Sequence, residues 1–161
     1  MLCRTILTLS VLSVSLLSAA HSLEGCWEGQ GFITLPPFGR AACTRIAVKH
    51  EFTAGNFVMR AIAMDCPNFS PGWESKNFEI HNGNEIWGAQ EGQEKRIIGW
   101  LEDNTYAFDE PVSILHFIEY SAERNPQTGR VRWVESFTGN QKLYWKVEGD
   151  LAPVTCEGIA P

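Results

Sequence analysis

From Gly25 onward the chain breaks into short apolar-polar runs, separated by turn signals roughly every ten to fifteen residues, the spacing of an all-β sandwich or barrel. The clearest run is Ala42 to Phe52. There Ile46, Val48, His50 and Phe52 share one phase, while Arg45, Lys49 and Glu51 share the other, so one face is predicted to be buried and the other wet. Gly25 to Thr34 precedes it and is stopped by Leu35-Pro36-Pro37, since consecutive prolines cannot continue a ladder. Phe57 to Cys66, Glu74 to His81 and Glu85 to Gln90 follow. The last two flank Asn82-Gly83-Asn84, a strong hairpin signal because Asn and Gly accept positive φ. Further strands are predicted over Arg96–Leu101, Thr105–Asp109, Val112–Glu123, Arg130–Phe137 and Lys142–Glu148. Residues 151–161 read as a C-terminal tail, and no window carries a sustained 3.6-residue apolar stripe. The prediction is an all-β domain over residues 23–150, an antiparallel meander of about ten strands, closed into a barrel so that no edge is left exposed, with a sandwich as the alternative.

The first 20 residues follow a different pattern. Arg4 is their only charge, Ile6 to Leu17 is an apolar run, and Ser18-Ala19-Ala20 are small. That is the layout of a secretory signal peptide, with cleavage after Ala20 or, as a second choice, Ser22. The apolar run falls short of the ~20 residues a membrane span requires. A secreted or periplasmic location without a transmembrane segment is therefore expected. Leu23-Glu24-Gly25-Cys26 has the outline of a lipidation box, but Glu24 fits it poorly.

Composition sharpens this picture. The 161 residues carry 13 basic and 19 acidic side chains. Nucleic-acid binding is not expected, since it depends on clustered Lys and Arg. Six Trp and nine Phe mean either a binding surface or a large aromatic core. Cys3 leaves with the signal, so Cys26, Cys43, Cys66 and Cys156 remain. An even number in an exported chain favours two disulfides. No C-x-x-C, nucleophile elbow, phosphate loop or H-E-x-x-H occurs, and neither a metal nor a cofactor is expected.

Gly25-Cys26-Trp27-Glu28-Gly29-Gln30-Gly31 contains G-x-W-x-G-x-G on the first strand. It resembles the opening of calycin-like barrels: lipocalins carry G-x-W there, and nitrobindin-like proteins carry the longer form. The resemblance implies an antiparallel barrel with an internal ligand cavity. In it Trp27 plugs the closed end, and Gly25, Gly29 and Gly31 serve the bend of the first strand. Nitrobindin-like proteins hold haem through a histidine near the C-terminus. The last histidine here is His116, so haem is not carried over. In such a meander Cys43 and Cys66 lie symmetrically about the 53–56 turn, and Cys26 and Cys156 meet where the first and last strands close the ring. That pairing is favoured, with Cys26–Cys43 and Cys66–Cys156 as the rival.

His50 and His116 sit on the more apolar phases of their strands. Each is either a polar handle inside a cavity or a core histidine satisfied by a carbonyl or carboxylate. Trp73, Trp87 and Trp100 are candidates for lining the cavity, Trp73 near its portal, while Trp133 and Trp145 read as packing. Glu102-Asp103 and Asp109-Glu110 read as solvated turn charges, since adjacent residues in extended chain point apart. Asn68-Phe69-Ser70 is a glycosylation sequon in a eukaryotic host. The leading expectation is a barrel that binds a small apolar or amphipathic ligand without chemistry. The first alternative is an interaction or inhibitor module that meets a protein partner through loops 66–73 and 123–130. The second is an enzyme built on His50 or His116, which requires a carboxylate or tyrosine within hydrogen-bond reach of the ring.

Overall fold

The computed structural model describes residues 21–53, 55–69 and 75–158. Residues 1–20, read above as a signal peptide, together with Trp73 and the sequon's Ser70, lie outside them. Within them ten antiparallel strands form a single closed ring in sequence order, with β1 hydrogen-bonded to both β2 and β10. They are β1 (Gly25–Leu35), β2 (Gly39–Thr53), β3 (Asn56–Asp65), β4 (Lys76–His81), β5 (Glu85–Gly88), β6 (Arg96–Glu102), β7 (Thr105–Ser113), β8 (His116–Arg124), β9 (Val131–Gly139) and β10 (Lys142–Val154). One 3-10 turn, Cys156–Gly158, follows. Among the described residues no helix is long and apolar enough to cross a membrane.

The alternation read from the sequence decides what faces inward. Trp27 pairs with Val48, Phe57 with Phe78, Phe108 with Tyr120 and Tyr106 with Ala122, and all of these are buried. With Phe52, their rings form a continuous cluster of stacked, tilted and edge-on contacts: Phe52–Phe57 at 4.6 Å between centroids, Phe57–Tyr106 at 5.1 Å, Phe78–Phe108 at 4.6 Å and Phe108–Tyr120 at 4.9 Å. Much of the aromatic content is therefore core. Each such contact adds about 0.5–1.5 kcal/mol beyond the area it buries.

The two ends of the ring differ. At one end residues 21–23 fold across the opening. His21 stacks on Phe52 at 4.2 Å and its Nε2 meets the Glu102 carbonyl at 2.8 Å, Ser22 bonds to Asp103, and Leu23 is fully buried. At the other end the wall is looser. β3 and β4 pair only from Asn56 to Met59, and β6 and β7 only from Gly99 to Glu102. Beyond those pairs, among the described residues, β3 is bonded to β2 alone and Asp109–Ser113 of β7 to β8 alone.

The seam between β1 and β10 depends on glycine. A Cβ on Gly31 would lie 1.9 Å from the Glu148 carbonyl oxygen, and one on Gly29 2.2 Å from that of Asp150. The β1–β2 register also shifts between these two glycines, so the strand bends where it must close the ring.

Several strand boundaries differ from the sequence reading, among them those of β7, β10 and β5. β7 runs through Glu110 and Pro111 to Ser113, and the chain turns at Ile114-Leu115 instead of continuing as one strand from Val112 to Glu123. Pro111 is accommodated because the β6 side of β7 is a free edge there, where a missing donor breaks no ladder. β10 continues through Gly149 to Val154, so much of the expected tail is strand, held by the β1 ladder. Strand β5 ends at Gly88.

The favoured disulfides form: Cys26–Cys156 across the seam with Cα atoms 5.3 Å apart, and Cys43–Cys66 at 4.2 Å. Cys43 and Cys66 are not directly opposed as expected. A bulge at Ala47–Val48 shifts the register by one, and the β2–β3 ladder ends at Arg45–Asp65. With Cys26 bridged, no free thiol remains there for lipidation. Both bridges belong to an oxidising compartment.

Candidate functional site

Most inward positions are apolar, and two groups stand out among the polar exceptions. The first lies toward the closed end. His50 is fully buried. Its Nδ1 lies 3.2 Å from the Leu23 carbonyl, and its Nε2 lies 3.1 Å from the Tyr106 hydroxyl. A carbonyl only accepts, so Nδ1 carries the proton and the neutral ring accepts the Tyr106 proton at Nε2. Burial holds the His50 pKa down to about 4, against a partial pull upward from the Leu23 carbonyl. Burial likewise pushes the Tyr106 phenol well above its ordinary range. The Leu23 carbonyl also accepts the Trp27 indole N–H at 2.9 Å. This group locks the N-terminal segment into the barrel. Tyr106 meets the geometric requirement stated for an enzymatic His50, but the imidazole has both nitrogens engaged and no solvent access.

The second group faces the loose end. Lys76 opens β4 in phase with Phe78 and Ile80. Its Nζ lies 3.0 Å from each oxygen of Glu110, which is in phase with Tyr106 and Phe108 on β7. The Tyr120 hydroxyl donates to Glu110 Oε2 at 3.2 Å. Glu135, fully buried, sits directly opposite Tyr120 on β9. Burial raises the Tyr120 phenol strongly, and the negative charges of Glu135 and Glu110 raise it further. Lys76 and Glu110 keep 25% and 22% of their side-chain surface exposed, which from inward positions means that solvent reaches the interior from this end. The neighbouring inward residues Ile118, Phe137 and Trp145 are half-buried for the same reason.

Aromatic rings line one side of that mouth. Phe69 lies 4.8 Å from Trp145, and Phe137 lies 5.1 Å from Tyr144. His116 is on this rim, not in the deep interior. Its Nδ1 meets Ser113 Oγ at 2.7 Å, its ring covers Gly139 so closely that a Cβ there would sit 2.0 Å from Cδ2, and it stacks on Phe137 at 5.8 Å.

Two of the proposed cavity tryptophans lie elsewhere. Trp87 faces outward, opposite Glu79 and Ile97, with its indole N–H on Glu85 at 3.0 Å and His81 beside it at 4.8 Å. Trp100 is also outward and 52% exposed, because Gly99 and Leu101 take the inward phase. It flanks an outer groove of about 620 Å³ that includes Ala107, Asp109, Glu119, Ser121 and Lys146. Asp109 there is raised by partial burial and by the Glu119 carboxylate. Asp109 and Glu110 do point apart, but Glu110 is an interior charge and not a turn residue. Among the described residues Phe38, Ile114 and Leu115 are large exposed apolar side chains on turns of the loose end, while residues 70–73 of the expected 66–73 interaction loop lie outside the described residues.

The sequence reading missed Lys76, Glu110, Tyr120 and Glu135 as a group. The available signal was phase: Glu135 alternates with Val131, Trp133 and Phe137, and Lys76 with Phe78 and Ile80. A charged residue in the inward phase of a barrel strand marks a functional position or a buried ion pair. Among the described residues no three His, Cys, Asp or Glu side chains converge as a metal site. No protein-family model matches the chain, and no curated protein is significantly similar to it.

Proposed function

We propose that this chain is an exported, calycin-like barrel that holds one small amphipathic molecule in the loose half of its interior and performs no chemistry on it. The observation that carries this reading is the contrast between the two halves. The closed half is filled by packed aromatic rings and the buried His50–Tyr106 hydrogen bond. The loose half presents solvent-reachable polar groups, Lys76 and Glu110, beside half-buried Ile118, Phe137 and Trp145. An apolar wall with a few convergent polar groups is the usual make-up of a small-molecule site. The G-x-W-x-G-x-G opening supports the calycin-like assignment. Export fits the packing of His21 to Leu23 into the closed end, which suits a mature chain that begins at His21, and it fits the two disulfides.

Binding of the neutral dye Nile red, read by its fluorescence, tests the reading. The native protein binds it with micromolar affinity. Ile118→Trp adds bulk to the loose half, beside Glu110 and Phe137 on the neighbouring strands, and weakens binding by about tenfold or more, a difference of about 1.4 kcal/mol, while the circular dichroism spectrum stays unchanged. Equal binding by the filled variant sinks the proposal.

A further inference from the structure

We propose that the outer face of the barrel carries a second binding site, a groove across β6 to β10 that takes an uncharged oligosaccharide. It lies outside the interior and does not depend on the reading above. The groove, about 620 Å³, follows one row of outward positions. Trp100 on β6 stands opposite Ala107 on β7, Ala107 opposite Ser121 on β8, and Ser121 opposite Val134 on β9. Ala107 and Ser121 are short, so the exposed indole of Trp100 stands beside a low floor. The next row toward the loose end is polar. Asp109 is directly opposite Glu119, and Glu119 is opposite Ser136. Ser136 Oγ and Thr138 Oγ1 donate to the two Glu119 oxygens at 2.9 and 3.0 Å and hold that carboxylate in place. Asp109 has no hydrogen bond or ion pair with any described residue. Like charges directly opposed across a ladder repel one another, and partial burial together with the Glu119 charge raises the Asp109 carboxyl above its ordinary range. Ionised carboxylates accept hydrogen bonds and donate none, so the pair suits a ligand rich in hydroxyl donors.

Charge and shape narrow the ligand further. Among the described residues the charged side chains lining the groove are Asp109, Glu119 and Lys146, whose Nζ lies 3.0 Å from Glu148. The carboxylates oppose an anion and the ammonium opposes a cation. A pyranose ring is uncharged, with a face of C–H groups and a rim of hydroxyls. Its C–H face can stack on the Trp100 indole, while its rim reaches Asp109, Glu119 and Ser121. An extended peptide fits less well. Along the Trp100 row the strands are already hydrogen-bonded to one another and offer no edge to a further strand. On the free edge of β7, Pro111 removes a donor.

Magnetic-resonance titration of the isotope-labelled, disulfide-intact protein with cellotetraose, maltotetraose and N-acetylated chitotetraose tests the proposal through the indole N–H signals. At least one of these sugars shifts the Trp100 signal saturably, with millimolar or tighter affinity, and leaves the signal of buried Trp133 in place. The Trp100 signal is identified by its loss in Trp100→Phe. Trp100→Ala weakens that binding by about tenfold or more, and Asp109→Asn and Glu119→Gln each weaken it severalfold. All three side chains are exposed, so these variants fold. Nile red binding is unchanged in Trp100→Ala, which keeps this site distinct from the interior one. The proposal is overturned by the absence of a saturable Trp100 shift with all three sugars, or by a Trp100→Ala variant that binds them as tightly as the parent. Spermidine shifting the Trp100 signal where the sugars do not would make the groove a cation site and overturn it as well.

Discussion

His50 shows how a single residue ties stability to pH. Its pKa is about 4 in the folded chain against 6.5 for an exposed imidazole. The unfolded chain therefore binds a proton more readily between those values, and stability rises with pH across that window. The stabilisation is complete above pH 6.5 and is lost as pH falls toward 4. The shift corresponds to roughly 3 kcal/mol at one pH unit per 1.36 kcal/mol. Urea unfolding at pH 7, 5.5 and 4 should show that fall. His50→Leu should flatten the pH profile while costing about 1–3 kcal/mol at pH 7, because the Leu23 carbonyl and the Tyr106 hydroxyl lose a buried partner. A variant that keeps the full slope would move the titration to some other group. The inward phase of His50 was legible from its neighbours Ile46, Val48 and Phe52. Its partners were not, because Leu23 and Tyr106 lie 27 and 56 residues away, and alternation along one strand carries no information about which distant strand lies across the barrel.

Elements were legible where a turn residue and a phase agreed. Asn82 and Gly83 adopt φ of 52° and 82°, as an Asn-Gly hairpin requires, and β2, β4 and β9 follow their alternation. Reading failed where tertiary pairing overrode a local breaker. Pro111 looked like a boundary but sits within β7, and Gly149 fell beyond the last predicted strand but sits within β10. The phase of β6 was ambiguous because Ile97, Ile98, Trp100 and Leu101 are all apolar, and this is why Trp100 was expected inside. Gly29 and Gly31 carry an element-level consequence. Each is surrounded by backbone, which cannot yield as a side-chain tip can. Gly31→Ala drives a methyl into the Glu148 carbonyl, and the closest side-chain atom, Ile46 Cδ1, is 2.7 Å away. The expected loss is about 2–3 kcal/mol, the upper part of the roughly 1–3 kcal/mol range for forced overpacking. Gly83→Ala meets no atom within 4 Å and is expected to lose only about 1 kcal/mol, for its positive φ. Thermal unfolding of the two variants side by side measures the difference. A similar loss in both would mean that β1 and β10 can separate at little cost.

The ring as a whole is closed by the pair of strands farthest apart in sequence, and its two disulfides bear on that closure unequally. Cys26–Cys156 spans 130 residues and lies at the β1–β10 seam, while Cys43–Cys66 spans 23 within neighbouring elements. If a crosslink acts by restricting the unfolded chain, the long loop contributes about 5 kcal/mol and the short one about 3 kcal/mol. The seam bridge also acts on kinetics. Pairing the first strand with the last requires the largest loop closure in the molecule, and non-local pairing of this kind slows folding. The double variant Cys26→Ser with Cys156→Ser should therefore lose more stability than Cys43→Ser with Cys66→Ser, and should refold more slowly from urea than the oxidised parent. Near-neutral behaviour of the seam variant would show that the ladder from Cys26–Val154 to Thr34–Lys146 is sufficient to hold the ring. In that case the closing stability comes from hydrogen bonds and from the close glycine contacts, and loss of the seam bridge in a reducing compartment would leave the barrel folded.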